Sequence, residues 1–271
     1  MARYQATLAY DGTGFFGYQR QGNQRTVQSE VENALRMLGW QERSILSAGR
    51  TDTGVHADGQ VIAFDMQWRH SPEKLCSAIN AHLPEDVAVR SVTITGDDFH
   101  PRYDAHYRSY RYHIYCHPQR NPLRDRFAWR VWPAVELDAV QAAAQLFVGR
   151  HDFAAFGTPP RPGGSTIRVI FAANWSVQAG DLLFEITGNA FLYHMVRRLV
   201  FSQVMVGQGK VSLAELASGV QNAQPQIPGL APACGLVLQA VGFTGLGERH
   251  DGLKADKTAI GEDDCGKDLR H

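Results

Sequence analysis

The chain has 271 residues, 44% of them hydrophobic, and its 27 Lys and Arg are balanced by 27 Asp and Glu. That length fits one large domain or two smaller ones with substantial cores. No apolar run approaches the ~18 residues of a membrane-spanning helix, and the opening Met-Ala-Arg-Tyr-Gln-Ala lacks a signal-peptide core, so a cytoplasmic location without membrane attachment is expected.

Residues 3–10 alternate, with Tyr4, Ala6, Leu8 and Tyr10 on one side, which predicts a half-buried strand. Val27, Val31, Leu35 and Leu38 form a helical stripe closed by Gly39. Strands are predicted at 44–48, 60–66 and 87–95, and a helix at 72–83 that opens on Ser71 as cap and Pro72 in its first turn. Residues 107–116 read as a further strand. In it Tyr110, Tyr112 and Ile114 share one face while Ser109, Arg111 and His113 share the other. The second half predicts a helix at 137–148, strands at 166–177 and 182–187, helices at 190–206 and 212–220, and a last strand at 234–243. Strands interspersed with helices point to a layered α/β (α+β) architecture, and no clear repeat links the halves. Residues 246–271 are polar, Gly/Asp/Lys-rich and poor in large apolar residues, and are expected to form a disordered tail.

Cys76, Cys116, Cys234 and Cys265 are scattered without a Cys-x-x-Cys pair, so reduced thiols and no structural metal are expected. His113 and His117 have a metal-like spacing, but two ligands fall short of the four usually needed, and they are read as solvent- or RNA-facing. The zero net charge hides an uneven distribution. Residues 102–130 hold seven arginines (Arg102, Arg108, Arg111, Arg120, Arg124, Arg126 and Arg130) against Asp104 and Asp125, interleaved with aromatic residues. Arginine forks suit phosphates and aromatic rings stack unpaired bases; an ordinary solvated strand face would look similar.

The most informative stretch is Ala-Gly-Arg-Thr-Asp-Thr-Gly-Val-His-Ala, residues 48–57, which puts Asp52 on a loop between strand-like runs. Rigid strands with reactive loops are a common site plan, and Gly49 and Gly54 allow a tight backbone around the carboxylate. An aspartate is ordinarily ionised at neutral pH and can act as nucleophile or base. By turn chemistry alone, Asp52 and Thr53 would only cap their own amides. Asp-Thr-Gly also marks aspartic proteases, but those need two facing carboxylates and this chain has no second copy. A non-catalytic RNA-binding module would not need the Asp52 segment.

Six segments, in order over residues 3–243, resemble the tRNA pseudouridine synthase A (TruA) family. Residues 49–57 resemble its catalytic segment and residues 10–21, Tyr-Asp-Gly-Thr-Gly-Phe-Phe-Gly-Tyr-Gln-Arg-Gln, its opening signature. Residues 108–112, Arg-Ser-Tyr-Arg-Tyr, resemble its tyrosine-bearing strand; 149–153 with 166–168, 191–197 and 231–236 complete the set. The ordering makes the resemblance specific where one short motif would not be.

The resemblance implies a pseudouridine synthase fold: two similar halves, residues 1–105 and 106–245, with largely antiparallel mixed sheets, flanking helices and a central catalytic cleft. It implies isomerisation of uridine to pseudouridine at positions 38, 39 and 40 of the tRNA anticodon stem-loop, by a homodimer with tRNA across both subunits and no cofactor. Asp52 would be the essential carboxylate, with its attack on C1′, attack on C6, or proton removal left open. Arg197 would form a salt bridge that positions Asp52; helical periodicity alone does not choose between Arg197 and Arg198. Tyr110 would contact the substrate uracil, and Tyr112 would pack. Arg50, Arg108 and Arg111 are the expected RNA-binding residues.

Overall fold

The computed structural model describes residues 1–224 and 227–244. The predicted tail, with Cys265, lies outside them. β1 (Ala2–Tyr10) buries Tyr4, Ala6, Leu8 and Tyr10, the face its alternation predicts. After a single 3-10 turn at Gly12–Gly14 comes α1 (Val27–Met37). The Thr26 and Ser29 side chains each accept from the other's backbone N–H, closing the helix start, and Val27, Val31, Ala34 and Leu35 face the core. β2 (Leu46–Ser47), β3 (His56–Met66), α2 (Pro72–Asn80) and β4 (Val87–Thr95) follow, with Ser71 and Pro72 in their predicted capping places. Next are β5 (Tyr107–Cys116), a one-turn α3 (Pro122–Asp125), β6 (Trp129–Val131), α4 (Leu137–Gln145) and β7 (Gly149–Asp152). The described chain finishes with β8 (Ile167–Gln178), β9 (Asp181–Gly188), α5 (Met195–Gly207), α6 (Leu213–Gln221) and β10 (Leu236–Gly242).

The ten strands among the described residues join one sheet in the order β4-β1-β3-β10-β5-β9-β8-β7, with β2 on β3 and β6 on β5. Among the described residues only the β10–β3 and β5–β6 pairings are parallel, so the protein is an α+β fold built on a largely antiparallel mixed sheet flanked by helices. One hydrophobic cluster gathers Leu8, Leu35, Ile62, Leu75 and Ile79; the other gathers Tyr112, Phe147, Phe184, Leu199 and Val204. β10 lies between them. Val237 and Leu238 pair with His56 and Ala57 of β3, and on its other edge β10 pairs with β5. Leu238 is buried in the first cluster and Leu236 in the second, a seat worth about 3–6 kcal/mol at ~1.5–3 kcal/mol per buried side chain.

Three predicted helices are shorter than expected, and the first of them, predicted at 72–83, ends at Asn80. The 137–148 helix stops at Gln145, because the chain turns through Gly149 at φ +107 into β7, whose Gly-Arg-His-Asp sequence carries no apolar alternation. The 190–206 helix starts only at Met195. Asn189 Oδ1 accepts from the Ala190 and Val169 N–H groups, and the Tyr193 backbone exchanges two hydrogen bonds with Thr158. The run before Met195 therefore gives its backbone groups to partners outside any helix.

Candidate active site

The loop from Ala48 to Val55 carries Asp52 between β2 and β3, and neighbours grip it on several sides. Gln60 Nε2 donates to the Gly49 carbonyl at 3.0 Å, and the Tyr18 amide donates to that of Thr51 at 3.1 Å. The Tyr10 and Thr51 hydroxyls share a buried hydrogen bond of 2.8 Å. The Val55 N–H donates to the Asp52 carbonyl at 3.1 Å, closing a turn in which Gly54 adopts φ +78. The Gly12 amide donates to His56 Nδ1 at 3.0 Å, and a Cβ on Gly12 would sit 2.1 Å from the Val55 carbonyl oxygen. Gly12→Ala must therefore push the Asp52 loop away. We expect it to lower unfolding stability by about 1–3 kcal/mol; an unchanged denaturation midpoint would show that this contact relaxes freely.

α5 brings Arg197 to the loop from the other half of the sheet. Its NH1 donates to Asp52 Oδ2 at 2.9 Å while its Nε donates to the Ala231 carbonyl at 2.8 Å. The two side chains are 13% and 17% exposed, so water screens the pair less than it would a surface ion pair. His194, just before α5, is a third member. Its backbone is left-handed (φ 65), its Nε2 lies 3.5 Å from Asp52 Oδ2, and the half-exposed Tyr193 ring stacks on it at 3.7 Å between centroids. Burial lowers the His194 pKa below its ordinary value; Asp52 opposes that shift, and Arg197 and Arg198 reinforce it.

Tyr110 reaches the same place from β5. Its ring is half-buried and meets Phe191 edge-on at 5.1 Å. Burial pushes its phenol up to about 12, with Arg108 pulling down and the Asp52 charge adding to the rise. Tyr112 is fully buried, and its hydroxyl donates to the Pro232 carbonyl at 2.6 Å. Arg50 stands exposed two residues before Asp52 and has no hydrogen-bond or ion-pair partner among the described residues. Partial burial and the neighbouring Arg102 guanidinium lower its pKa. Arg102 is exposed too, its side chain lying 5.8 Å from the Tyr103 ring.

The other two arginines expected to bind RNA each hold partners within the protein. Arg108 is 8% exposed, and its guanidinium donates to the carbonyls of Ala48, Arg102, Ala105 and Asn189. These bonds take up four of its five N–H donors, and the side chain ties the start of the Asp52 loop to β5 and the end of β9. Arg111 points to the opposite face of β5 from Tyr110, where it pairs across the sheet with Glu185 at 2.7 Å. His113 pairs with Asp181, and among the described residues no three His, Cys, Asp or Glu side chains gather into a metal-binding group. The described cysteines, Cys76, Cys116 and Cys234, are free thiols.

Sequence reasoning missed His194 and singled out Arg102 only as one of a cluster. For His194 the available signal was its place beside Met195 in the segment 191–197. Reading that run as continuous helix concealed the left-handed residue.

A carboxylate gripped by a guanidinium where two halves of one sheet meet, with free arginines beside it, is a centre suited to chemistry on a polyanion. Comparison with known proteins agrees. The family model described as tRNA pseudouridine synthase matches residues 6–104 and 143–244. The chain belongs to the tRNA pseudouridine synthase family, isomerases that act on uridine in tRNA. It is 40% identical over 245 residues to the tRNA pseudouridine synthase A of Shouchella clausii (strain KSM-K16), covering 90% of this chain and 94% of that protein. The enzyme of the same name from Streptococcus equi subsp. equi (strain 4047) is 38% identical over 89% of this chain and 98% of its own length. That of Methylacidiphilum infernorum (isolate V4) is 37% identical, over 89% and 95%. Asp52, His194 and Arg197 fall within the matched stretches, while Arg108 and Tyr110 fall between them.

Proposed function

We propose that this protein converts uridine to pseudouridine at positions 38, 39 and 40 of the tRNA anticodon stem-loop, with Asp52 as the essential carboxylate and Arg197 as its positioning partner. The observation that carries the reading is the Asp52–Arg197 ion pair, made by residues 145 positions apart and partly buried at the meeting of the two halves. In the reaction the N1–C1′ bond breaks, the uracil turns, and C5 bonds to C1′. No electrons enter or leave and no group donor is consumed, so the chemistry calls for no cofactor. A stem uridine must leave the stack to reach Asp52, at about a few kcal/mol. In this reading Tyr110 receives the flipped ring, and the exposed guanidiniums of Arg50 and Arg102 meet the displaced backbone. A cytoplasmic homodimer with tRNA across both subunits belongs to the same proposal, on the strength of the resemblance. Among the described residues no helix is long and apolar enough to cross a membrane.

The deciding experiment scores pseudouridine position by position in tRNA carrying uridines at 38 to 40. Product confined to other positions would overturn the substrate assignment. The arginines should separate in a salt titration of tRNA binding. Arg50→Ala and Arg102→Ala should each reduce the slope of log affinity against log salt by about 0.7–1, one phosphate contact apiece. Arg108→Ala should leave that slope unchanged yet lower unfolding stability by about 3 kcal/mol, because it strands several buried carbonyls. A flattened slope in a stable Arg108→Ala protein would return Arg108 to the RNA surface.

A further inference from the structure

The Asp52 loop borders a polar cavity that Asp52, Tyr110 and Arg197 do not line. Its volume is about 140 Å³, and Tyr18, Gln19, Gln28, Ser44, Ser47 and Arg50 form most of its wall. Tyr18 is 1% exposed, and its buried hydroxyl makes no well-formed hydrogen bond, with Ser47 beside it. Buried hydroxyls are ordinarily bonded, so one left open in a native fold calls for an explanation.

The deeper wall is already committed within the protein. Gln28 Nε2 donates to Glu32 Oε1 and to Ser44 Oγ, both at 2.8 Å, and its Oε1 accepts from the Arg20 amide at 3.0 Å. Ser44 Oγ donates to Glu32 Oε1 at 3.1 Å, and Arg20 and Arg36 balance that buried carboxylate. The remaining groups are open. Among the described residues the Tyr18 and Ser47 hydroxyls have no partner beyond one another, and the Gln19 carboxamide and Arg50 guanidinium have none.

We propose that this cavity is a second base subsite, which holds the base of a nucleotide next to the target uridine while that uridine is flipped towards Asp52. The proposal rests on the uridine-isomerising reading of the site. A cavity of ~150 Å³ is known to hold benzene, a ring the size of a pyrimidine base. Two hydroxyls and a carboxamide offer donors and acceptors together, as the edge of a base requires. A phosphate presents acceptors alone and would use only the donor half of that set. Hydroxyls rotate and a carboxamide can turn over, so the subsite can meet different bases without fixing a sequence. Its rim is also near enough. Two Cα steps of ~3.8 Å put Arg50 within about 8 Å of Asp52 along the chain, and stacked nucleotides follow one another at ~3.4 Å. Flipping the target takes a stacking partner from its neighbour, and seating that neighbour's base offsets part of the cost. Arg50 then meets the backbone that joins the two nucleotides.

The test is single-turnover pseudouridine formation at subsaturating enzyme, on an anticodon arm with one target uridine. The arm is either intact or abasic at the nucleotide on the 5′ or the 3′ side of the target. Tyr18→Phe removes only the open hydroxyl, so its unfolding midpoint should match that of the wild type. On intact RNA it should react about 3- to 10-fold more slowly, the worth of one hydrogen bond. With the abasic residue on one of the two sides, the wild type should slow at least as much, and Tyr18→Phe should then equal it. Comparing both proteins on the same RNA cancels any change in the RNA itself. 4-Thiouridine at that flanking position, irradiated in the complex, should cross-link within residues 18–19 or 44–50. Equal losses for Tyr18→Phe on intact and abasic RNA would overturn the proposal and give the cavity to a backbone phosphate. Wild-type rates in Tyr18→Phe, or cross-links confined to other segments, would overturn it and leave the cavity to water. Conversion of the intact arm by the wild type is the control. Without it the functional reading fails and takes the subsite with it; with it, an absence of coupling between Tyr18 and the flanking base fails the subsite alone.

Discussion

Asp52→Asn is expected to bind tRNA at least as well as the wild type while single-turnover pseudouridine formation falls by about 10³-fold or more. The amide has the shape of the carboxylate, and its oxygen can still accept from Arg197 NH1, now 2.9 Å from Oδ2. The grip of Gly12, Tyr18 and Gln60 on the loop involves the backbone of residues 49, 51 and 55 and His56, so the fold should survive. Only the charge and the nucleophilic or basic oxygen are lost. Removing a group of that kind from a reacting centre costs ~10²–10⁴-fold, and losing the charge Arg197 balances adds to it. Removing a negative charge beside an RNA backbone cannot weaken binding electrostatically. Wild-type turnover in Asp52→Asn would remove the carboxylate from the mechanism.

Arg197 should show the second-largest effect, and its two-point attachment says why lysine will not replace it. The guanidinium spans the Ala231 carbonyl through Nε and Asp52 through NH1. A lysine ammonium has one nitrogen and cannot hold both positions in that geometry. Arg197→Ala leaves a half-buried carboxylate without its partner, and we expect about 10²–10³-fold slower chemistry at saturating enzyme. Arg197→Lys should recover only part of that, and Arg198→Ala should be mild. A variant that matches the wild type at saturation and differs only in affinity would make Arg197 a phosphate ligand instead.

Much of the fold was legible because its strands carry clean patterns. Tyr107–Cys116 was read to the residue, and its alternation contained more than was taken from it. Arg108 has the parity of Tyr110 and Tyr112, and that count alone aims it inward, where the structure holds it among four carbonyls. The charge density of residues 102–130 carries no information on which side of a strand a charge lies. The short β6 and β7 offered too few residues for any period to show. The Asp52–Arg197 pair was beyond periodicity altogether: a contact across 145 residues is set by how the halves meet, and only the resemblance to a known family pointed to it. His194 stayed hidden for a local reason, since a left-handed residue ahead of a helix leaves no mark in an apolar stripe that runs through it.

β10 gives the molecule an order in time as well as in space. Translation produces the Asp52 loop early and Arg197 much later, and the strand seated between their two halves emerges after both. A nascent chain that ends before Leu236 lacks a member of each core and the ladder that joins β3 to β5. The ion pair that marks the assembled centre therefore belongs to chains whose synthesis has passed β10. Vectorial synthesis thus places completion of the centre after β10 has been made.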